Sequence, residues 1–159
     1  MKRLGFIGIG KMGISHLAIA GVHPGAKIVG VADPSTFIMN VLKQYTDLNL
    51  FADYKKMLIE AKPDAVVVSV PTKFHDPIVE DLVSKGIHVF VEKPFTLNKS
   101  TGSTLVKSVK EKKLINQVGY HNKFIGTFLE AKRIIETGTL GKLYHFSGDI
   151  NGPVIVKKK

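Results

Sequence analysis

The sequence predicts an α/β fold in which helices cover both faces of a doubly wound parallel sheet. Two observations predict it: short apolar runs alternate with segments of helical periodicity along the chain, and a glycine-rich turn directly follows the first apolar run. The chain has 159 residues, 44% of them hydrophobic, which is enough to bury one good core. We therefore expect one main globular unit with a small appendage.

The apolar runs predict the strands of this sheet. They span residues 3–7, 27–32, 64–70, 88–91 and 114–119, and a further short strand is expected near Leu50 and Phe51. No internal repeat or low-complexity linker interrupts the alternation of strands and helices. The pattern is typical of a parallel sheet that is buried on both faces.

Helices are predicted between these strands by apolar spacing and by capping residues. The segment after Ser35 should bury one face, made of Phe37, Ile38, Val41, Leu42 and Tyr45. Asp76 and Pro77 are interpreted as the N-cap and first residue of a helix that ends at Gly86 and buries Ile78, Val79, Leu82 and Val83. A further helix is expected to begin within residues 98–101 and to bury Leu105, Val106 and Val109.

A Gly-x-Gly-x-x-Gly motif follows the first strand, and Asp33 ends the second. In a Rossmann-type fold, Gly8 permits the tight turn, Gly10 leaves room for a pyrophosphate, and Gly13 lets the next helix approach the sheet. The helix offers free N–H groups and its positive dipole end to the anion. Asp33 can accept hydrogen bonds from both ribose hydroxyls and would repel a 2′-phosphate. The motif therefore predicts a dinucleotide site, with NAD favoured over NADP.

Two further groups of residues are expected at the same edge of the sheet, because each follows a strand. The first is Pro71-Thr72 with His75, and the second is Glu92-Lys93-Pro94. Taken alone, Glu92 and Lys93 could be a surface ion pair of little energetic value. Ser35 and Thr36, which follow Asp33, could still accommodate a 2′-phosphate in another arrangement, so binding of NADP stays an alternative.

Composition limits the classes of partner. The net charge is +10, but the lysines are scattered over expected helix surfaces and are not interleaved with aromatic residues, so we expect no nucleic-acid partner. The chain has no cysteine, which excludes a thiolate metal site, and we expect no metal. No segment resembles an export signal or a membrane span, so a cytoplasmic protein is expected.

The pattern changes after Gly119. A helix is expected over residues 124–137, followed by Gly138 and by an extended run over residues 142–150. That run is predicted to be the first strand of another sheet, with no partner strand in the sequence. An unpaired apolar strand is a liability, so we expect a truncated chain: residues 1–120 form the NAD(P)-binding domain, and residues 121–159 begin an incomplete α/β domain. The alternative is that the tail folds back on the main sheet.

The motifs, and their order along the chain, resemble those of the Gfo/Idh/MocA oxidoreductases, named for glucose-fructose oxidoreductase and inositol dehydrogenase. The resemblance rests on Gly8 to Gly13, Asp33, Pro71-Thr72 with His75, Glu92-Lys93-Pro94 and the segment 119–124, GYHNKF, and it extends to about Gly141. It implies a Rossmann domain, a second domain with a large open sheet, and hydride transfer between a nicotinamide cofactor and a hydroxyl or carbonyl carbon of a sugar, a cyclitol or a related compound.

The resemblance also implies roles for particular residues. Lys93 would hydrogen-bond the reacting oxygen beside the nicotinamide, and Glu92 would orient Lys93 or touch the ribose. The other cofactor contacts would come from the glycine turn, with Lys11 and Met12, and from Pro71, Thr72, His75 and Pro94. His121 and Lys123, where many relatives carry asparagine and arginine, would contact substrate.

Other features of the family bear on this chain. The family's usual acid/base element, Asp-x-x-x-His, does not occur after Lys123. Pro71-Thr72 and residues 151–153 are reminiscent of members that oxidise nucleotide sugars. The resemblance implies a homo-oligomer when the second domain is complete. Two alternatives stay open: a module that binds NAD(P) without catalysis, and a scaffold whose glycines serve packing alone.

Overall fold

A computed structural model describes residues 1–149, and its core is one parallel sheet of six strands. The strands lie in the order β3-β2-β1-β4-β5-β6, and every pairing is parallel. Their bounds are β1 Lys2–Ile7, β2 Ala26–Ala32, β3 Leu50–Phe51, β4 Ala65–Val68, β5 His88–Val91 and β6 Asn116–Val118. The predicted doubly wound sheet is confirmed, although β4 and β6 are shorter than expected.

Five helices connect these strands: α1 Lys11–Gly21, α2 Thr36–Tyr45, α3 Tyr54–Ala61, α4 His75–Ser84 and α5 Lys99–Glu111. Three of them begin at side-chain caps, which satisfy N–H groups that lack a partner within the helix. Ser35 caps α2, Asp53 caps α3, and the Oδ1 of Asn98 accepts hydrogen bonds from two N–H groups of α5. The predicted start of α5 is confirmed.

The start of α4 differs from the prediction. Asp76 is not its N-cap: a short 3-10 turn, Thr72–Phe74, runs directly into the helix, which begins at His75. The Asp76 carboxylate instead accepts a hydrogen bond from the Thr96 hydroxyl, at 2.9 Å. Pro77 is still in the first turn, where its missing N–H has no cost. Gly86, with φ of 73°, follows the helix in the left-handed conformation that the sequence predicted.

Apolar side chains form one cluster on each face of the sheet. Phe6, Ile9 and Val31 pack with Leu17 of α1 and with the inner side of α2, and the helices α3, α4 and α5 cover the other face. The predicted buried face of α4 is confirmed. On α2, however, Phe37 and Tyr45 are exposed, because only Ile38 and Leu42 face the sheet. Val106 of α5 and Val41 of α2 are also exposed, contrary to prediction.

The chain divides into two compact units, Met1–Tyr120 and the residues from His121 on. The second unit contains a 3-10 turn, His121–Phe124, and the helix α6, Gly126–Glu136, where a single helix over residues 124–137 was expected. Over residues 142–149 the expected strand is not formed, and the described part of this unit offers no partner strand for it. Residues 150–159, including the 151–153 motif, lie outside the described residues. Within residues 1–149, no helix has the length and apolar character needed to cross a membrane.

Candidate functional site

The sequence-predicted residues of the first unit meet at one edge of the sheet. Because all strands are parallel, their carboxyl ends share this edge, and the strand order reverses between β1 and β4, where such folds bind ligands. The glycine turn follows β1, Asp33 follows β2, Pro71 and Thr72 follow β4, and Glu92 to Pro94 follow β5. The fold alone therefore brings the cofactor and catalytic candidates together.

The glycine turn is shaped by the lack of side chains. Gly8 has a φ of 87°, and a Cβ on it would lie 2.8 Å from the backbone of Ser69. A Cβ on Gly13 would collide with the Gly8 carbonyl oxygen, whereas a Cβ on Gly10 would meet nothing within 4 Å. The Ser69 hydroxyl donates a hydrogen bond to that carbonyl, at 3.0 Å. The turn thus packs tightly on one side and leaves open space at Gly10.

The open space lies at the N-terminus of α1. Gly10 is the N-cap residue, no side chain caps the helix, and no acidic residue lies in its first turn. The first N–H groups are therefore left for an anion, which the helix dipole also favours. Lys11 and Met12 are exposed at this end. The turn therefore offers the space and the free N–H groups that the pyrophosphate of a dinucleotide needs.

Asp33 connects the glycine turn to the end of β2. One carboxylate oxygen accepts a hydrogen bond from the N–H of Ile9, at 2.7 Å, and the other accepts one from the N–H of Ser35, at 2.8 Å. Each oxygen can accept a second hydrogen bond, so both remain able to bind ribose hydroxyls. The Ser35 hydroxyl is engaged as the cap of α2, accepting from the N–H of Ile38.

A cavity of 310 Å³ lies beside Asp33, between the ends of β1, β2 and β4. Its walls are largely apolar and include Val70, Phe74 and Tyr54. Burial raises the pKa of the Tyr54 phenol, and the nearby charges of Asp81 and Asp53 raise it further, so this side chain stays neutral at physiological pH. An adenosine fits such a site, because apolar walls bury its base while Asp33 is left for its ribose.

At the end of β5, the Glu92 side chain is held by three neighbours. One carboxylate oxygen lies 2.7 Å from Nε2 of His16, and the other accepts a hydrogen bond from the N–H of Lys93, at 3.1 Å. Gly119 also lies against this carboxylate, since a Cβ there would be 3.0 Å from Oε1. Glu92 is buried, while Lys93 is exposed at this edge and precedes Pro94 through a cis peptide bond.

His75 lies between the loop after β4 and the loop after β5, and the cofactor contact expected of it stays a prediction. Its ring, only 1% exposed, lies between two loops, with Nδ1 at 2.9 Å from the carbonyl oxygen of Pro94 and Nε2 at 3.0 Å from that of Val70. Both ring nitrogens thus lie within hydrogen-bonding distance of a backbone carbonyl oxygen, and the ring joins the loop after β4 to the loop after β5. Pro71 is exposed, and Thr72 is partly buried.

The remaining candidates lie in the second unit. His121 and Lys123 are in the 3-10 turn His121–Phe124, and both are exposed. The substrate role expected of them stays a prediction. Within residues 1–149, no three His, Asp or Glu side chains lie close enough together to hold a metal ion.

His16 is the site residue that the sequence reasoning missed. It lies on α1 near Gly13, Leu17 and Ala20, which form the side of the helix that faces the sheet. A polar residue within this stripe of small and apolar residues is the signal that could have identified it. Its partner, Glu92, is 76 residues away, so only the fold reveals the contact.

Comparison with known proteins gives consistent results. Residues 2–120 match the Gfo/Idh/MocA family, described as an oxidoreductase family with an NAD-binding Rossmann fold. The chain is 30% identical over 148 residues to scyllo-inositol 2-dehydrogenase (NAD(+)) of Bacillus subtilis, a match that covers 92% of this chain and 43% of that enzyme. The chain thus spans less than half the length of this relative.

Two solved structures are similar over 89% of this chain, each at 26% identity and a TM-score of 0.82. One is scyllo-inositol dehydrogenase from Lactobacillus casei with bound NAD(H) and scyllo-inositol, of which 42% is covered. The other is the WlbA dehydrogenase from Bordetella pertussis in complex with NADH and UDP-GlcNAcA, of which 44% is covered. With the family match over residues 2–120, they place this chain in the Gfo/Idh/MocA oxidoreductase family, as its NAD-binding Rossmann domain.

Proposed function

We propose that this chain is the cofactor-binding part of an NAD-dependent oxidoreductase acting on CH–OH groups. Its substrate would be a sugar, a cyclitol or a nucleotide sugar, and hydride would move between the nicotinamide and a hydroxyl or carbonyl carbon. The observation that carries the proposal is the meeting of the glycine turn, Asp33 and Lys93 at one edge of the sheet. The similarity to dehydrogenases of scyllo-inositol and to the WlbA dehydrogenase supports the substrate class.

In this proposal, the glycine turn and Asp33 bind and orient the cofactor, which supplies the hydride acceptor or donor when bound. NAD is favoured over NADP because the Asp33 carboxylate would repel a 2′-phosphate. The cavity beside Asp33 takes the adenosine, and the free N–H groups of α1 take the pyrophosphate. Pro71 and Thr72 follow β4, which pairs with β5, and they would line the nicotinamide half of the cofactor.

Lys93 is the proposed catalytic residue. Its ammonium would donate a hydrogen bond to the reacting oxygen and stabilise the negative charge that develops there during hydride transfer. Its exposure at the sheet edge leaves it free to reach substrate, while its main chain is held through Glu92. His121 and Lys123 are proposed to contribute substrate contacts.

We also propose that residues 121–159 begin a domain for substrate binding and self-association, and that the protein acts as a homo-oligomer in the cytoplasm. The apolar side chains of α6 support the first point, because Phe128, Leu129 and Ile135 are each about half exposed within the described part of the second unit. The lack of cysteine fits a reducing compartment.

Calorimetric titration of the 159-residue chain tests the cofactor proposal. We expect NAD and NADH to bind, NADPH to bind more weakly, and turnover of inositols or sugars to be negligible with this chain alone. ADP-ribose, which carries only the adenosine and pyrophosphate half, should bind as well. No measurable heat with any of these ligands at millimolar concentration would contradict the proposal.

Chemical protection of lysine amines tests the position of Lys93. The chain is acylated with a small reagent in the presence of NADH or ADP-ribose, and each lysine is quantified by mass spectrometry. NADH should protect Lys93, ADP-ribose should protect it less, and neither should protect Lys107, an exposed control on α5. If Lys93 is acylated equally in the presence of NADH and of ADP-ribose, the catalytic assignment is contradicted. A module that binds NAD without transferring hydride would then be favoured.

A further inference from the structure

We propose that His16 is a positioning residue for the reaction site: it holds the Glu92 carboxylate and, through it, the main chain of Lys93. The inference rests on the proposed function, because it matters only if Lys93 lies beside the nicotinamide. His16 lies on α1, the helix that follows the glycine turn, and it contacts the part of the site that follows β5.

The contact between His16 and Glu92 is short and largely shielded from water. Nε2 lies 2.7 Å from Oε1, and the two side chains are only 25% and 11% exposed. A carboxylate can only accept, so Nε2 must carry the hydrogen. Hydrogen bonds with one charged partner are stronger than neutral ones, and shielding from solvent preserves this one better than a surface ion pair.

Both groups are confined to this geometry by their neighbours. The His16 ring packs edge-on against Phe90 of β5, with ring centroids 4.9 Å apart and planes at 64°. Gly119 also limits the Glu92 carboxylate, because even a methyl group on it would lie 3.0 Å from Oε1. Glu92 therefore has little freedom to turn away while His16 is present.

The second carboxylate oxygen passes this constraint to Lys93, because it accepts the hydrogen bond of the Lys93 N–H. A continuous connection thus runs from α1 through His16 and Glu92 to Lys93. The N-terminus of the same helix faces the proposed pyrophosphate position. We therefore expect the connection to fix where the nicotinamide half of the cofactor lies relative to its pyrophosphate half.

Three variants of the 159-residue chain test this inference: His16→Ala, His16→Gln and His23→Ala. The glutamine amide can donate to Glu92 as the imidazole does, and His23 is an exposed histidine beyond the end of α1. We expect His16→Ala to weaken NADH binding about tenfold and ADP-ribose binding less than about twofold. His16→Gln should recover most of the NADH affinity, and His23→Ala should match the wild type.

A fourth variant, Gly119→Ala, perturbs Glu92 from a residue outside α1. We expect the same selective loss of NADH affinity, because the added methyl group must displace the carboxylate. This variant keeps the inference testable if His16→Ala does not fold, which thermal unfolding of each sample would reveal.

The outcomes separate the two proposals. If the wild-type chain binds neither NADH nor ADP-ribose, the proposed function fails. If the wild type binds both ligands, three results would overturn the role of His16: unchanged NADH affinity in His16→Ala, equal loss of both ligands in that variant, or no recovery in His16→Gln. Gly119→Ala binding both ligands as the wild type does would also overturn it.

Discussion

The two halves of the proposed cofactor site are built in different ways. The pyrophosphate half is shaped by main chain: Gly8 and Gly13 have no room for a side chain, and Asp33 holds the turn by accepting from backbone N–H groups. The nicotinamide half, around Glu92 and Lys93, is shaped by side chains, with the imidazoles of His16 and His75 each holding one part of the loop after β5.

This difference predicts opposite sensitivities to mutation. A turn formed by close approach of the main chain should be disrupted by an added methyl group, because packed backbone has no space to give. A loop held by imidazole contacts should be disrupted by deletion, because the groups that the imidazoles contact lose their partners. The following substitutions test the contrast.

The largest effect is expected for Gly13→Ala. The new Cβ would collide with the Gly8 carbonyl oxygen, and both atoms belong to a tightly packed turn. We expect the free energy of unfolding to fall by about 3 kcal/mol, measured by urea denaturation, with loss of NAD binding. An unchanged denaturation midpoint would contradict the account of the turn.

Gly10→Ala is the matched control, because a Cβ there meets nothing within 4 Å. Its free energy of unfolding should stay within about 0.5 kcal/mol of the wild type. NAD affinity should nevertheless fall about tenfold or more, since the methyl group would occupy space left for the pyrophosphate. Loss of stability in this variant would show that the open side of the turn also contributes to the fold.

His75→Ala tests the half held by side chains. Removing the ring leaves the carbonyl oxygens of Val70 and Pro94 without this partner and opens a cavity. We expect the free energy of unfolding to fall by about 2–3 kcal/mol, again measured with urea. Changing the exposed His23 to alanine removes one exposed hydrogen bond, from the N–H of Gly25, and should cost less than about 1 kcal/mol. Equal stability of the two variants would mean that His75 does not hold the loops together.

Asp33→Asn should lower the free energy of unfolding by about 1.5 kcal/mol, less than Gly13→Ala or His75→Ala. The asparagine keeps the shape, but its amide nitrogen is a donor only, so the N–H of either Ile9 or Ser35 loses its acceptor. Without the negative charge, the preference for NADH over NADPH should fall roughly tenfold, which calorimetry of the two cofactors measures. An unchanged preference would place the source of selectivity elsewhere.

The sheet and the glycine turn could be predicted because their patterns are local. Apolar runs mark the strands, and the spacing of Gly8, Gly10 and Gly13 before a helix is a short-range feature of the chain. The start of α5, expected within residues 98–101, was predicted correctly for the same reason. Asp76 was wrongly predicted as a cap because the preceding 3-10 turn already leads into α4 and Thr96 binds its carboxylate.

The contacts of the nicotinamide half could not be predicted, because they depend on the order and register of strands. His16 meets Glu92 across 76 residues only because β5 lies beside β4, which itself pairs with β1. His75 was expected at the cofactor through a family resemblance, which does not state whether a ring faces a ligand or the backbone. Its burial follows from the paths of the loops after β4 and β5.

The lengths of the outermost strands have a consequence for how copies of this domain meet. The first unit's sheet ends in β3, with only two residues, and in β6, with three, so few peptide groups are left unpaired at either rim. Amyloid-like stacking and growth of the sheet by strand addition both require a long unpaired strand, so neither is favoured. Association of this domain with a second copy is therefore not expected to extend the sheet.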